Sequence, residues 1–137
     1  MITLLGFITI SLVNSQQTAS LTSVEEILLA DLKQQQLKSM IGDTEGRATS
    51  DSYGIHFDSN RYILFRGLIY LSADTSNSAI DLGDNVQFVS PGFDIIFSKI
   101  NGEIAASAVI ELMDSTNSRL KRIHLNTLGT ITQVESL

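Results

Sequence analysis

The chain contains no cysteine, no tryptophan and a single proline, Pro91. Without cysteine there can be no disulfide framework, no thiolate metal site and no thiol nucleophile, so stability must come from a packed core. One proline excludes Pro-rich linkers, and no internal repeat is present. Basic residues are also scarce. Nine Lys and Arg against fifteen Asp and Glu give a net charge of −6, which argues against a general nucleic-acid binder because phosphate neutralisation needs a basic face. Charged residues make up only 18% while 43% are hydrophobic, which is the composition of a folding chain and not of a disordered one. At 137 residues a single domain is the economical expectation.

What is present begins with an apolar run. Ile2, Leu4, Leu5, Phe7, Ile8, Ile10, Leu12 and Val13 dominate the first thirteen residues, which carry no charge. A bilayer crossing takes about 20 apolar residues in a helix, so this run is too short to span alone. A secretory signal fits the length, but such a signal starts with Lys or Arg, and the first basic residue is Lys33. No Gly or Pro follows Gly6 until Gly42, and Leu21, Val24, Leu28 and Leu32 recur at spacings of three and four. This pattern predicts a helix over residues 2–41, roughly 60 Å long at 1.5 Å per residue. Thr22 and Glu25 could form a capping box, but the periodicity favours continuity through them. Residues 1–13 form its all-round apolar part. Residues 14–41 form an amphipathic part whose stripe Leu21, Val24, Leu28 and Leu32 packs on the rest of the chain, with Glu25, Asp31, Lys33, Gln34 and Lys38 opposite.

Residues 42–52 carry two glycines and no large apolar side chain, and read as a loop. Alternation then takes over. Tyr53, Ile55 and Phe57 alternate with Gly54 and His56, and Asp58-Ser59-Asn60 turns the chain into Arg61–Arg66, which predicts a hairpin. Further strands are expected at residues 67–71 (Gly-Leu-Ile-Tyr-Leu), 79–82, 86–90 and 93–100. Asn101-Gly102 is a strong hairpin signal leading into a strand that carries Ile104, Ala106, Ala108, Ile110 and Leu112 on one side. Residues 119–126 and 130–134 complete the set. The fold class expected is therefore α+β: a long N-terminal helix, residues 1–41, whose C-terminal half packs on an antiparallel, sandwich-like head of seven or eight strands, residues 42–137.

No titratable cluster builds a catalytic site. His56 and His124 stand on strand faces without a nearby carboxylate pattern and read as surface or satisfied positions. A metal site would need a third ligand that the sequence does not indicate. Asp81 and Asp84 have the flavour of a calcium loop but lack its ligand spacing and terminal Glu. No G-x-S-x-G or phosphate loop is present. Arg119, Lys121 and Arg122 are the one candidate for a polyanion contact, and a solvated strand edge is the simpler reading of them. The chain is accordingly expected to be no enzyme and to need no cofactor or metal.

Three segments resemble type IV pilins and the pseudopilins of type II secretion, most closely the minor, H-type pseudopilins and related minor pilins. They are "VEEILLADLKQQQLKSMIG", similar to the helix leading into the head of those proteins, "YGIHFDSNRYILFRG", similar to their first hairpin, and "RLKRIHLNTLGTIT", similar to their closing strands. The family's leader ends in Gly before Phe, with Glu at the fifth mature position. Gly6-Phe7 imitates that junction, but Ser11 stands where the Glu belongs. The alignment this favours puts Ile2–Val13 in the second half of the membrane helix, with leader, cleavage site and first half upstream of Met1. The resemblance implies a non-enzymatic filament subunit, held in the inner membrane by a single helix before assembly and then part of a periplasmic or cell-surface filament. Its partners would be other pilin or pseudopilin subunits through the helix, and a secreted substrate or surface ligand at the head. The alternatives are a secreted or surface-tethered β-sandwich binding module with residues 1–20 as an atypical signal peptide, or a pilus-tip subunit that binds DNA through the basic strand.

Overall fold

A computed structural model describes residues 2–137, with side chains from Leu21 onward. The element order is α1 (Ile2–Ile41), β1 (Tyr53–Phe57), β2 (Arg61–Arg66), β3 (Ser78–Asp81), β4 (Val86–Phe88), β5 (Phe93–Phe97), β6 (Ala108–Asp114), β7 (Arg119–Leu125) and β8 (Ile131–Ser136). The strands form two antiparallel sheets of four: sheet A in the order β3-β2-β1-β5, and sheet B in the order β4-β6-β7-β8.

Alternation decides which strand face enters the core. Ile55 and Phe57 of β1, Tyr62 of β2, and Ile95 and Phe97 of β5 point to one side of sheet A. Val86, Phe88, Ile110, Leu112, Ile123 and Leu125 do the same in sheet B, and all join one buried cluster. Leu21, Leu28 and Leu32 of α1 enter the same cluster, and α1 touches β1 and β5 of one sheet and β6 and β7 of the other. The helix is therefore a wedge between two sheets.

This corrects the expected α+β class with a long helix laid on a seven- or eight-stranded head. Residues 21–41 are the helical stretch with described packing, and against them stand two separate antiparallel sheets that supply most of the core. A long helix on a β head is matched only in part, because strand pairing within each sheet, not a helix layer on one sheet face, organises the apolar interior. The predicted assembly residues Ile2, Leu4, Leu5, Phe7, Ile8, Ile10, Leu12 and Val13 have side chains outside the described residues. Among the described residues, no helix is long and apolar enough to cross a membrane.

Three local expectations also change. Residues 67–71 form no strand but a loop, because Tyr70 turns onto sheet A while Leu68, Ile69 and Leu71 face outward. Asn101-Gly102 makes a tight turn, with the Gly102 amide donating to the Ser98 carbonyl at 2.9 Å, but the chain then leaves sheet A for sheet B, so no hairpin forms. Residues 104–107 accordingly lie outside β6, and the Ile104 amide donates to Thr127 instead.

The buried stripe of the helix is longer than its leucines. Leu21, Glu25, Leu28, Leu32, Gln35 and Ser39 are all buried, at alternating spacings of four and three, and Val24 is partly buried beside them. Glu25, expected on the solvated face, is inside. Each polar member has a partner, as burial demands. Gln35 Nε2 donates to the carbonyls of Gly54 (2.9 Å) and Phe65 (3.2 Å). Ser39 Oγ donates to Gln35 O and accepts from the Tyr53 amide. Gly54 is required where Gln35 and β1 meet: a Cβ there would lie 2.7 Å from the Ile95 carbonyl oxygen and 2.7 Å from the Phe65 ring.

Candidate functional site

The helix has a second, outward stripe. Ile27, Ala30, Gln34, Leu37 and Ile41 repeat at spacings of three and four on the face away from the leucine stripe, and all are exposed. Ile27 is 52%, Leu37 56% and Ile41 66% accessible, values that leave three large aliphatic side chains uncovered on one helix face. A 3-4 repeat of apolar residues with one polar member has the spacing that helix–helix seams use. The head grips the opposite face through Gln35, Ser39 and the Tyr62 hydroxyl, which donates to Asp31 at 2.6 Å. Burial and then this hydrogen bond push the Tyr62 hydroxyl well above its ordinary pKa. On the flank, Gln36 Nε2 donates to the carbonyls of Gly102 and Leu128, each at 3.0 Å.

The basic strand is divided among acidic partners. Lys121 Nζ lies 3.0 Å from Glu25 of α1, and Arg122 reaches Glu111 of β6 at 3.5 Å and Glu135 of β8 at 4.0 Å. Arg119 opens β7 in register with Asp114. Lys121 is thus a helix-anchoring residue, and Arg122 a cross-strand one; a polyanion would have to compete with carboxylates already in place.

Both histidines, read from the sequence as lacking acidic neighbours, have them. His124 Nε2 is 2.5 Å from Glu135 Oε1. His56 is the more constrained. Its Nδ1 is 2.5 Å from Asp94 Oδ1 of β5, its Nε2 is 3.0 Å from Asp58 Oδ1, and its ring stacks on Tyr70 at a centroid distance of 4.0 Å and an interplanar angle of 7°. Arg61 Nε also donates to Asp58, at 2.8 Å, and this bond, with a smaller contribution from His56, holds the Asp58 carboxyl below its usual range. Asp58 lies two residues beyond His56, just past the end of β1, and the sequence reading assigns it only to the turn Asp58-Ser59-Asn60. Asp94 could be found only from the β1–β5 register, which sets it opposite His56. Both ring nitrogens of His56 thus face carboxylate oxygens.

An apolar cleft of about 420 Å³ lies along β5, the edge strand of sheet A, between Phe93, Ile95 and Ile96 on one side and Ile104, Ala106 and Ala108 on the other. Small side chains on its second wall leave room for an inserted apolar group. Among the described residues no group of three or more His, Cys, Asp or Glu side chains is arranged to hold a metal ion. Comparison of the chain with family models, with curated proteins and with solved structures found no match.

Proposed function

We propose that this protein is a structural subunit of the minor pilin or pseudopilin type, which joins a filament through its N-terminal helix and displays the two-sheet head. The observation that carries the reading is the outward stripe of α1. The head covers the leucine face of the helix and leaves Ile27, Leu37 and Ile41 in solvent. Aliphatic side chains left exposed in a heptad-like row on a helix otherwise fixed in place call for another helix. Other subunits supply that helix in a filament, and the inner membrane holds the chain beforehand. The sequence resemblance of residues 24–42, 53–67 and 119–132 supports the same class.

The absence of cysteine makes the test direct. Leu37→Cys introduces the sole thiol at an exposed position, so disulfide cross-linking reports contact between copies. Cross-linked ladders from the full chain in its native host are the expected result, with Thr116→Cys, on an exposed turn of the head, as the uncross-linked control. Leu37→Asp should abolish assembly without unfolding the head. Monomeric Leu37→Cys together with normal assembly of Leu37→Asp would reject the reading.

The apolar cleft beside β5 favours a second reading, a secreted or surface-tethered binding module. N-terminal sequencing of native material separates the two: a mature chain starting at Ser20 or Leu21 fits the module and not the subunit.

A further inference from the structure

Ile100 is 77% exposed, more than any other large hydrophobic side chain among the described residues, and its φ is +75°. The Asn101 amide donates to the Lys99 carbonyl at 2.8 Å, which closes a γ-turn about Ile100. A γ-turn with positive φ is the rare and strained form, and a β-branched residue is poorly suited to it. Glycine would take the same conformation freely. The chain therefore holds an aliphatic side chain in water at a position where the fold gains nothing from it, and strain of this kind collects at functional sites.

The turn is fixed in place. The Ile100 amide donates to the Ser39 carbonyl at 3.1 Å and so satisfies one of the orphan carbonyls at the end of α1. Gln36 Nε2 ties this turn to a second one through the Gly102 and Leu128 carbonyls. Both turns close tightly on the helix. A Cβ on Gly102 would lie 2.7 Å from Met40 Cγ, and one on Gly129 would lie 2.6 Å from the Gly102 carbonyl oxygen and 2.7 Å from Gln36 Nε2. The second turn carries Leu128, 57% exposed, and Met40, 47% exposed, links the first turn to Leu37, its neighbour one helical turn back.

We propose that Ile100, Met40 and Leu128 extend the outward row of α1 onto the head, as one apolar surface that seats a second copy of this chain. The inference rests on the filament reading and deepens it: the head makes part of the subunit contact alongside the helix. Charge differs between the two ends of this surface. Lys99 is exposed beside Ile100, Glu26 is exposed beside Ile27, and neither forms an ion pair among the described residues. Opposite charges at opposite ends suit a head-to-tail contact, in which the Glu26–Ile27 end of one copy meets the Lys99–Ile100 end of the next. Such a contact generates an open filament where its rotation does not close. Gln36 is a positioning residue in this surface, since it holds both turns against the helix.

The test is Ile100→Gly in the full chain, read in two ways. The melting temperature should rise by about 3 °C as the strain is relieved. The cross-linked ladder of Leu37→Cys in the native host should fall about tenfold when Ile100→Gly is added, because the buried knob is gone. Leu128→Ser should lower the ladder in the same sense, while Ile69→Asn, at an exposed aliphatic of the 67–71 loop, should leave it intact. Lys99→Glu should weaken the ladder and Glu26→Lys in the same chain should restore it. An undiminished ladder in Ile100→Gly, or an equal loss in Ile69→Asn, overturns the inference and leaves the filament reading standing. A lowered melting temperature in Ile100→Gly overturns it too, by showing that Ile100 serves the fold, and failure of the charge exchange overturns the head-to-tail arrangement. No ladder from Leu37→Cys alone removes the filament reading, and this surface with it.

Discussion

Lys121 Nζ sits 3.0 Å from Glu25 Oε2, joining β7 to the buried face of α1 across 96 residues of chain. Both side chains are largely withdrawn from water, with 19% and 11% of their surface exposed. Removing one partner from such a pair strands the other charge, whereas replacing both with apolar groups is close to neutral.

Lys121→Met is therefore expected to destabilise the chain by about 3 kcal/mol. The double replacement Glu25→Leu with Lys121→Met should recover most of that loss. Chemical denaturation of the two variants checks the contrast, and equal losses would show that Glu25 does not depend on Lys121.

Gly54→Ala should cost about 2 to 3 kcal/mol, because the added methyl meets the Ile95 carbonyl and the Phe65 ring in a space that admits neither. The same substitution at Gly46, where a Cβ meets nothing within 4 Å, carries only the penalty of its left-handed backbone. A denaturation midpoint for each variant separates crowding from backbone strain.

Alkaline pH should unfold this protein early. Burial raises the Tyr62 hydroxyl, with the bond to Asp31 acting in the same direction, and burial also raises Tyr53. Raised folded-state values mean that the stabilisation is complete below the ordinary tyrosine value and drains away as pH climbs above it, from roughly pH 10. Tyr62→Phe should flatten that decline and leave a smaller one from Tyr53, as thermal melts across the alkaline range would reveal.

Much of the strand pattern was legible because alternation is local: Ile55, Phe57, Ile95, Phe97, Ile110, Leu112, Ile123 and Leu125 were assigned faces from period-two spacing alone. Leu21, Leu28 and Leu32 were legible from helical spacing in the same way. Features decided by distant partners were not. Glu25 looked solvated because the lysine that admits it to the interior lies near the other end of the chain. The division into two sheets, and the crossing after Asn101-Gly102, depend on which edge the chain joins next, and a turn dipeptide does not encode that. Residues 67–71 have strand composition, but Tyr70 finds a better surface against His56 and Phe65 than a ladder would offer. The cluster at His56 assembles only when β5 pairs with β1, which brings Asp94 across 38 residues.

The grip of both sheets on α1 has a mechanical meaning. Contacts to β1 and β5 on one flank and to β6 and β7 on the other oppose rotation of the helix about its own axis in either sense. The pair Glu25–Lys121 and the double bond pattern of Gln35 act as keys in that joint. Torque applied to the head thus reaches the outward row Ile27, Leu37 and Ile41 without slip, and a neighbour seated on that row would feel any turn of the head as its own.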